Sequence, residues 1–497
     1  MKNILSIFFT ISIIFLNAQN TRDVRKIFGF ATSNTFTYFN INDTNFSKKV
    51  QSISPNVLRF PGGAVGNFYH FNKPAYGLNL EEIEKWHYGG FPKRAKGLLR
   101  SSKMKNHNQN YIEDFVIAAN KTNASVVLVA NLITGTPEET ILMIEYIKQQ
   151  GLDVIGVELG SELSNRPYFL AGFDKNKYIE LARLFSKKIK DKYPKLKTAV
   201  VAAPIVSEKK HRHTLWNKAL ANYQFYDAVI LHSYAKITKG RDQYGEMISE
   251  VPEGESKKEA FDLYKNRALK YFNRDYLEEL KNYQKIFNKP FWITEWNLQI
   301  SRTTGNTLFQ GLFVANYFLH VSSVNTGCQN IELTTFHNLG GRDVSGSIFM
   351  NEKEKMIIHS TYRPTCMLAK IFDTKNAEII YYGSRASNQM HHYTVYDTNS
   401  LINNPNSITY GQKVSRTKYE CYVNWSEESE FSVIEVPATG SAIMYIYKSN
   451  NLFDQPKSDG RLIFETKEIK PEKFPPGNPI SIPPYSFVVI ELLYEES

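Results

Sequence analysis

Glu162, in Val157-Glu158-Leu159-Gly160-Ser161-Glu162, and Glu295, in Phe291-Trp292-Ile293-Thr294-Glu295-Trp296-Asn297, each close an apolar run of strand character. A carboxylate at the end of a buried strand is expensive to desolvate unless it is paired or used in chemistry. Brought face to face, two such groups are an acid with a nucleophile or base. That is the pair that breaking a glycosidic bond requires: one protonates the leaving oxygen, and the other attacks the sugar carbon or activates water. Glu158 lies deeper on the same strand face as Glu162. It reads as a buried supporting carboxylate, with a catalytic role as the alternative.

Positioning such a pair is work for a barrel. Between Lys26 and Arg363 strand-like runs alternate with helical patterns, as in βα units around a parallel sheet. The runs are 27–31, 56–60, 125–131, 154–162, 198–203, 228–232, 291–295 and 331–337. They predict a (β/α)8 TIM barrel, an α/β fold whose site is built at the C-terminal ends of its strands. Glu162 and Glu295 then face one another across the mouth, where Asn131, His337 and Asn338 also end their strands as candidates for sugar contacts. Helices are legible between the strands. Thr136-Pro137-Glu138-Glu139 predicts a capping box, and Tyr178, Leu181, Ala182, Phe185 and Ile189 repeat at helical spacing, as do Tyr276, Leu277, Leu280, Tyr283 and Phe287.

Two connections, 62–110 and 235–271, are too long for turns and leave from the mouth side. The first carries Trp86, His87, Tyr88, Gly89 and Gly90, then Lys93, Arg94, Lys96, Arg100, Lys103 and Lys105. These cations form either a solvated basic loop or a rim that captures polysaccharide. After residue 372 the pattern turns to short alternating segments and ends on Ile482-Pro483-Pro484-Tyr485-Ser486-Phe487-Val488-Val489-Ile490, which predicts a β-sandwich. The expected division is a signal peptide over 1–18, a catalytic barrel over 19–372 and a β-sandwich accessory domain over 373–497. The first segment has a Lys near its start, an apolar run from Ile4 to Leu16 and Asn17-Ala18-Gln19, too short to span a bilayer, and implies a secreted or periplasmic protein. No stable membrane insertion is expected.

The formal charge is +11, and 13% of residues are aromatic, with 30 Tyr. Positive potential steers anions and aromatic faces stack on sugar rings, so the composition suits an anionic polysaccharide or oligosaccharide. Nucleic acid is disfavoured because no recognition motif accompanies the scattered Lys and Arg. No phosphate loop, His-Glu-x-x-His or paired Cys-x-x-Cys occurs, so no cofactor and no metal is expected. His211 with His213, and His391 with His392, lack partner carboxylates and read as loop residues. Cys328, Cys366 and Cys421 read as core thiols with at most one bridge.

Four segments carry a more specific resemblance. Arg59-Phe60-Pro61-Gly62-Gly63, Glu158-Leu159-Gly160-Ser161-Glu162, His232-Ser233-Tyr234 and Thr294-Glu295-Trp296-Asn297 stand in an order similar to that of clan A glycoside hydrolases. The branch is that of the α-L-arabinofuranosidases and the heparanase-like β-glucuronidases. Leu312-Phe313-Val314-Ala315-Asn316 and the Pro-Pro-Tyr-Ser ending extend the similarity along the chain. The resemblance implies a retaining hydrolase with Glu162 as acid/base and Glu295 as nucleophile, and places Arg59, His232, Tyr234 and Trp296 around them. One position departs from the pattern. Ser161 stands where the branch carries an Asn whose amide contacts the sugar 2-hydroxyl, which implies either an unusual 2-substituent or lost activity. A non-catalytic carbohydrate-binding protein derived from such an enzyme is the alternative.

Overall fold

The computed structural model describes residues 22–73, 76–86, 90–104, 111–205, 211–238, 240–241, 247–248, 255–299, 303–344, 346–385, 389–401, 413–434, 440–456, 463–469 and 479–494. The expected signal segment lies outside them, as do His87, Tyr88, Gly89 and Lys105 of the basic connection. Eight strands close a parallel barrel: β1 (Gly29–Ala31), β2 (Val57–Phe60), β3 (Ser125–Val129), β4 (Val154–Leu159), β5 (Lys197–Val201), β6 (Ala228–Ala235), β7 (Phe291–Leu298) and β8 (Ile331–Phe336). Each pairs with its sequence neighbour, and β8 returns to β1. Runs such as Ser125-Val126-Val127-Leu128-Val129 lack polar alternation because barrel strands are buried on both faces.

The helices that cover the barrel are α1 (Thr44–Ile53), α2 (Phe91–Met104), α3 (Ile112–Thr122), α4 (Pro137–Gln149), α5 (Arg166–Leu170), α6 (Lys175–Lys192), α7 (His211–Ala221), α8 (Lys257–Lys270), α9 (Tyr276–Gln284), α10 (Leu308–Ser322) and α11 (Tyr362–Phe372). Their starts are set by local chemistry: Asp43 and Asp174 accept backbone N–H bonds at the heads of α1 and α6, and Ser256 with Glu259 makes a complete capping box on α8. The box expected at Thr136 is only half made. Thr136 accepts from Glu139 N, but the Glu139 carboxylate turns instead to His70 and to Phe71 N. The two long connections contain α2 and α8, so neither is bare loop.

Every residue of α10 is buried. A helix apolar on all sides must be covered on all sides, and this one lies between the barrel and the C-terminal sheets. There the chain forms β9 (Ala377–Arg385), β10 (Met390–Leu401), β11 (Lys413–Asn424), β12 (Glu430–Val433), β13 (Gly440–Lys448), β14 (Ile463–Ile469), β15 (Pro479–Ile482) and β16 (Ser486–Tyr494). Six of them make one antiparallel sheet in the order β9-β10-β11-β16-β13-β14, and β12 pairs with β15 in a second. Ile434, Met444, Ile446, Ile480, Ile482 and Val488 form the core between them, while the opposite face packs on α10. Gly311 permits that approach, since a Cβ there would lie 2.8 Å from Ser360 O and 3.1 Å from the Tyr447 ring. Cys328, Cys366 and Cys421 are unbridged, so the single disulfide allowed by the sequence is not formed. Among the described residues no helix is long and apolar enough to cross a membrane.

One clamp ties the β2 connection to the barrel wall. The His70 ring lies between two carboxylates, Nδ1 3.1 Å from Glu139 Oε2 and Nε2 2.8 Å from Glu82 Oε2. Hydrogen bonding to Glu139 raises the His70 pKa above its ordinary 6.5, against the opposing effect of burial. A raised folded-state pKa stabilises the fold fully below the unfolded value, and that contribution disappears as pH rises through the folded value. His70→Gln is therefore expected to lower the unfolding free energy by on the order of 1 kcal/mol at pH 6, the half-buried Glu82 end being partly screened. Urea titrations at pH 6 and pH 9 check this. A difference from wild type as large at pH 9 as at pH 6 would contradict the clamp.

Candidate active site

The site grows from one guanidinium. Arg59, wholly buried on β2, donates from Nε to Glu158 Oε1 at 2.6 Å and from Nη2 to Glu158 Oε2 at 2.8 Å, a two-pronged bond to β4. Its third nitrogen, Nη1, donates to Glu295 Oε1 at 2.8 Å. Tyr234 donates to the other oxygen of Glu295 at 2.9 Å. Burial would raise the Glu295 pKa, but His232, Arg59 and His337 outweigh it and hold this carboxyl well below the ordinary 4.5. Glu295 is thus kept ionised and aimed.

Two backbone irregularities bring the glutamates together. Leu231 pairs with Ile293 but His232 pairs with Glu295, so Thr294 is an extra residue in β7. The bulge breaks the alternation of side chains. Trp292 fills the barrel, where only Gly at 156 leaves room for it, since a Cβ would lie 2.1 Å from the ring. Thr294 meets His232 Nε2 at 3.3 Å, and Glu295 also faces inward. Trp296 therefore faces out, stacked on Tyr317 at 3.8 Å with its N–H on Thr334, so the structure does not bring it to the carboxylates. The second device follows β4, which stops at Leu159 rather than running on to Glu162. Gly160 (φ 87°) and Glu162 (φ 51°) turn the chain back over the mouth. Asn67 pins this turn, accepting from Ser161 N at 2.8 Å and donating to Ser161 O at 2.7 Å and to Tyr168 Oη at 2.8 Å.

Glu162 and Glu295 share His232. Its Nδ1 lies 3.1 Å from Glu162 Oε1 and 3.5 Å from Glu295 Oε2. Burial lowers the His232 pKa, yet Glu295 and Glu162 together raise it above the ordinary value. One oxygen of each glutamate and a ring nitrogen of His232 all lie within 4.8 Å of one another. Their environments differ sharply: the Glu295 side chain is 7% exposed and that of Glu162 is 37% exposed. Asn165 donates to Glu162 Oε2 at 2.9 Å. The three donor atoms have spacing that a metal ion accepts, but Arg59 and Tyr234 already bond the two oxygens of Glu295. A metal would have to displace them.

The remaining sequence candidates divide. His337 reaches the site, with Nδ1 4.0 Å from Glu295 Oε2 and Nε2 3.6 Å from Asp343. Ser161 turns its hydroxyl to Arg59 at 3.3 Å rather than into the mouth. Asn131 uses both ends of its amide to hold its own loop, accepting from Ile133 N and Thr134 N and donating to Tyr69 O and Thr134 Oγ1. Asn338 is buried beside Gly341 and Gly346. Asn67, Asn165 and Asp343 went unnoticed in the sequence. Asn165 carried a signal, because a residue three past Glu162 in a tight turn can fold back onto it.

No protein-family model matches the chain, and no curated protein matches it. Solved structures do. The α-L-arabinofuranosidase from Thermotoga maritima in complex with arabinose is similar with a TM-score of 0.59 at 14% identity, over 95% of this chain and 97% of that one. The family 51 α-L-arabinofuranosidase from Bifidobacterium longum gives 0.61 at 12% identity, over 96% and 98%. A 4-O-α-L-rhamnosyl-β-D-glucuronidase from Fusarium oxysporum 12S, solved with Rha-GlcA, gives 0.54 at 10% identity, over 95% and 97%. The chain shares the fold of these proteins, barrel and trailing β-sandwich together, over nearly its whole length.

The buried bond between Arg59 and Glu158 predicts how the third glutamate behaves. Glu158→Gln leaves the guanidinium short of one counter-charge in the barrel core, and is expected to cost about 3 kcal/mol of stability. It should leave more activity than Glu162→Gln, because Glu158 lies behind the arginine and out of reach of the mouth. Denaturant unfolding with turnover of the same two variants checks both halves.

Proposed function

We propose that the protein is an exported retaining glycoside hydrolase that cleaves a polysaccharide or its oligosaccharides, anionic ones carrying uronic acid or sulfate groups. The observation that supports this most is the pair Glu162 and Glu295, one oxygen of each lying within 4.8 Å of the other, which favours the close pairing of a retaining mechanism, about 5–5.5 Å, over the about 6.5–9.5 Å that inversion needs for its water. Arg59 and Tyr234 keep Glu295 ionised, as a nucleophile needs. Glu162 stands at the more open edge of the mouth, where a glycosidic oxygen can reach it.

In this reading Glu295 forms a bond to the anomeric carbon while the bond to the leaving oxygen breaks, and the Glu162 proton passes to that oxygen. Water then enters, gives its proton to Glu162 and displaces Glu295 from the anomeric carbon. His232, between the two carboxyls, holds their relative position through both steps. The charge of +11, the exposed Lys93, Arg94 and Arg100 of α2 and the Rha-GlcA ligand of one structural neighbour favour an anionic chain. Export rests on the leader-like first 18 residues. The intact acid and nucleophile speak against a protein that only binds sugar.

Glu162→Ala and Glu295→Ala are each expected to lower kcat by roughly three orders of magnitude with the fold retained. Added azide should trap a glycosyl azide of retained configuration from the first variant and of inverted configuration from the second. Near wild-type turnover by either variant refutes the assignment. For the wild-type enzyme, NMR of the first-formed product should show the substrate's own anomeric configuration, and an inverted product would reject the covalent route.

A further inference from the structure

A cavity of about 180 Å³ opens beside Glu162, lined among others by Asn165, Pro204, His232, Tyr234 and Lys236. Neither Glu295 nor Arg59 lines it. Tyr234 and His232, which do line it, reach Glu295 from the other side, so the cavity opens on the Glu162 flank of the glutamate pair. A sugar attached to Glu295 occupies the nucleophile's side, so this cavity receives what leaves.

Lys236 stands out in its wall. His232, Tyr234 and Lys236 follow one another at every second residue along and just past β6, the spacing that puts side chains on one face. The first two meet the catalytic glutamates, and the third continues their row toward solvent. Lys236 is half-buried, and among the described residues no carboxylate is paired with it. The two acids that share the cavity are held elsewhere: Glu162 by His232 and Asn165, and Glu279 deep beside Tyr271 and Tyr283. A half-buried ammonium without a counter-ion has lost hydration and gained nothing in return. A ligand that brings an anion to it makes a charge-assisted hydrogen bond that a neutral ligand does not. The cations of α2 differ in kind. Lys93, Arg94 and Arg100 are exposed and screened, and Lys96 is 2.7 Å from Glu84.

We infer that Lys236 binds a carboxylate or sulfate on the departing sugar, so that the enzyme selects charge at the leaving-group subsite. This rests on the hydrolase reading and says where along the chain the charge must fall. The test compares oligogalacturonides and sulfated galactan oligosaccharides with their carboxyl-reduced or desulfated counterparts, using the full-length protein and Lys236→Met and Lys236→Arg. The ratio of kcat/KM for the charged form to that for its neutralised form should fall about ten-fold in Lys236→Met and largely recover in Lys236→Arg. Calorimetric affinity for the same pairs should move in parallel, and it is measurable whether or not turnover occurs. Absence of hydrolysis by wild type would overturn the hydrolase reading while leaving the binding ratio to decide Lys236. Equal preference for charged ligands in wild type and Lys236→Met, or no preference in wild type, overturns the inference.

Discussion

Arg59 is the constraint on which the rest of the site depends. A guanidinium with no solvent contact persists in a barrel only if its donors are all matched, and three strands contribute to that match: β2 carries the arginine, β4 the two-pronged Glu158 and β7 Glu295. Glu158 gives the arginine a fixed plane, and the fixed plane gives Glu295 a fixed place. The cluster does not need to be stabilising overall. Buried ion pairs often gain little net free energy, but removing one partner is severe, so the three residues stand or fall together.

Charge then sorts the two outer glutamates. Glu295 is surrounded by Arg59, His232, His337 and the Tyr234 hydroxyl, all of which favour its ionised form. Glu162 receives Asn165 and one edge of His232 and stands partly in solvent. Two chemically identical side chains thus stand in unlike surroundings, and those of Glu295 hold its carboxyl ionised. The backbone makes this possible by being irregular at two points: the extra residue at Thr294 turns Glu295 inward, and the left-handed turn at Gly160 and Glu162 lifts the acid over it. A regular β7 would have placed Trp296 in the mouth and Glu295 against the helices.

That contrast marks what the sequence could tell. The eight barrel strands were legible because strands buried on both faces are continuous apolar runs, and the two glutamates because charged groups at the ends of such runs are rare, whereas Arg59 and Tyr234 were legible only through the resemblance to clan A hydrolases. Trp296 was misplaced for a physical reason. Simple alternation already puts it opposite Glu295, and its neighbourhood to the nucleophile in sequence says nothing of contact across a strand. Asn131 looked like a ligand of sugar but spends its amide on its own loop, a frequent use of Asn in turns. Asn67 and Tyr168 could not be found by periodicity, since they act across loops far apart in sequence. The Thr136 box failed because Glu139 had a stronger partner in His70 than in its own helix end.

Ser161 draws these threads together. Its backbone is held on both sides by Asn67, and its hydroxyl leans on Arg59, so it belongs to the support beneath the glutamates. Asn67 cannot replace the missing amide toward a sugar, because its oxygen and its nitrogen are already committed to Ser161 and Tyr168. The corner that resembles a 2-hydroxyl contact in related sequences is therefore internally satisfied here. Across the mouth, His337 Nδ1 is buried with no hydrogen-bond partner among the described residues, 4.0 Å from Glu295 Oε2. Burial lowers the His337 pKa, but Asp343 and Glu295 raise it overall. A short residue at 161 is thus part of the packing beneath the glutamates rather than a gap in it.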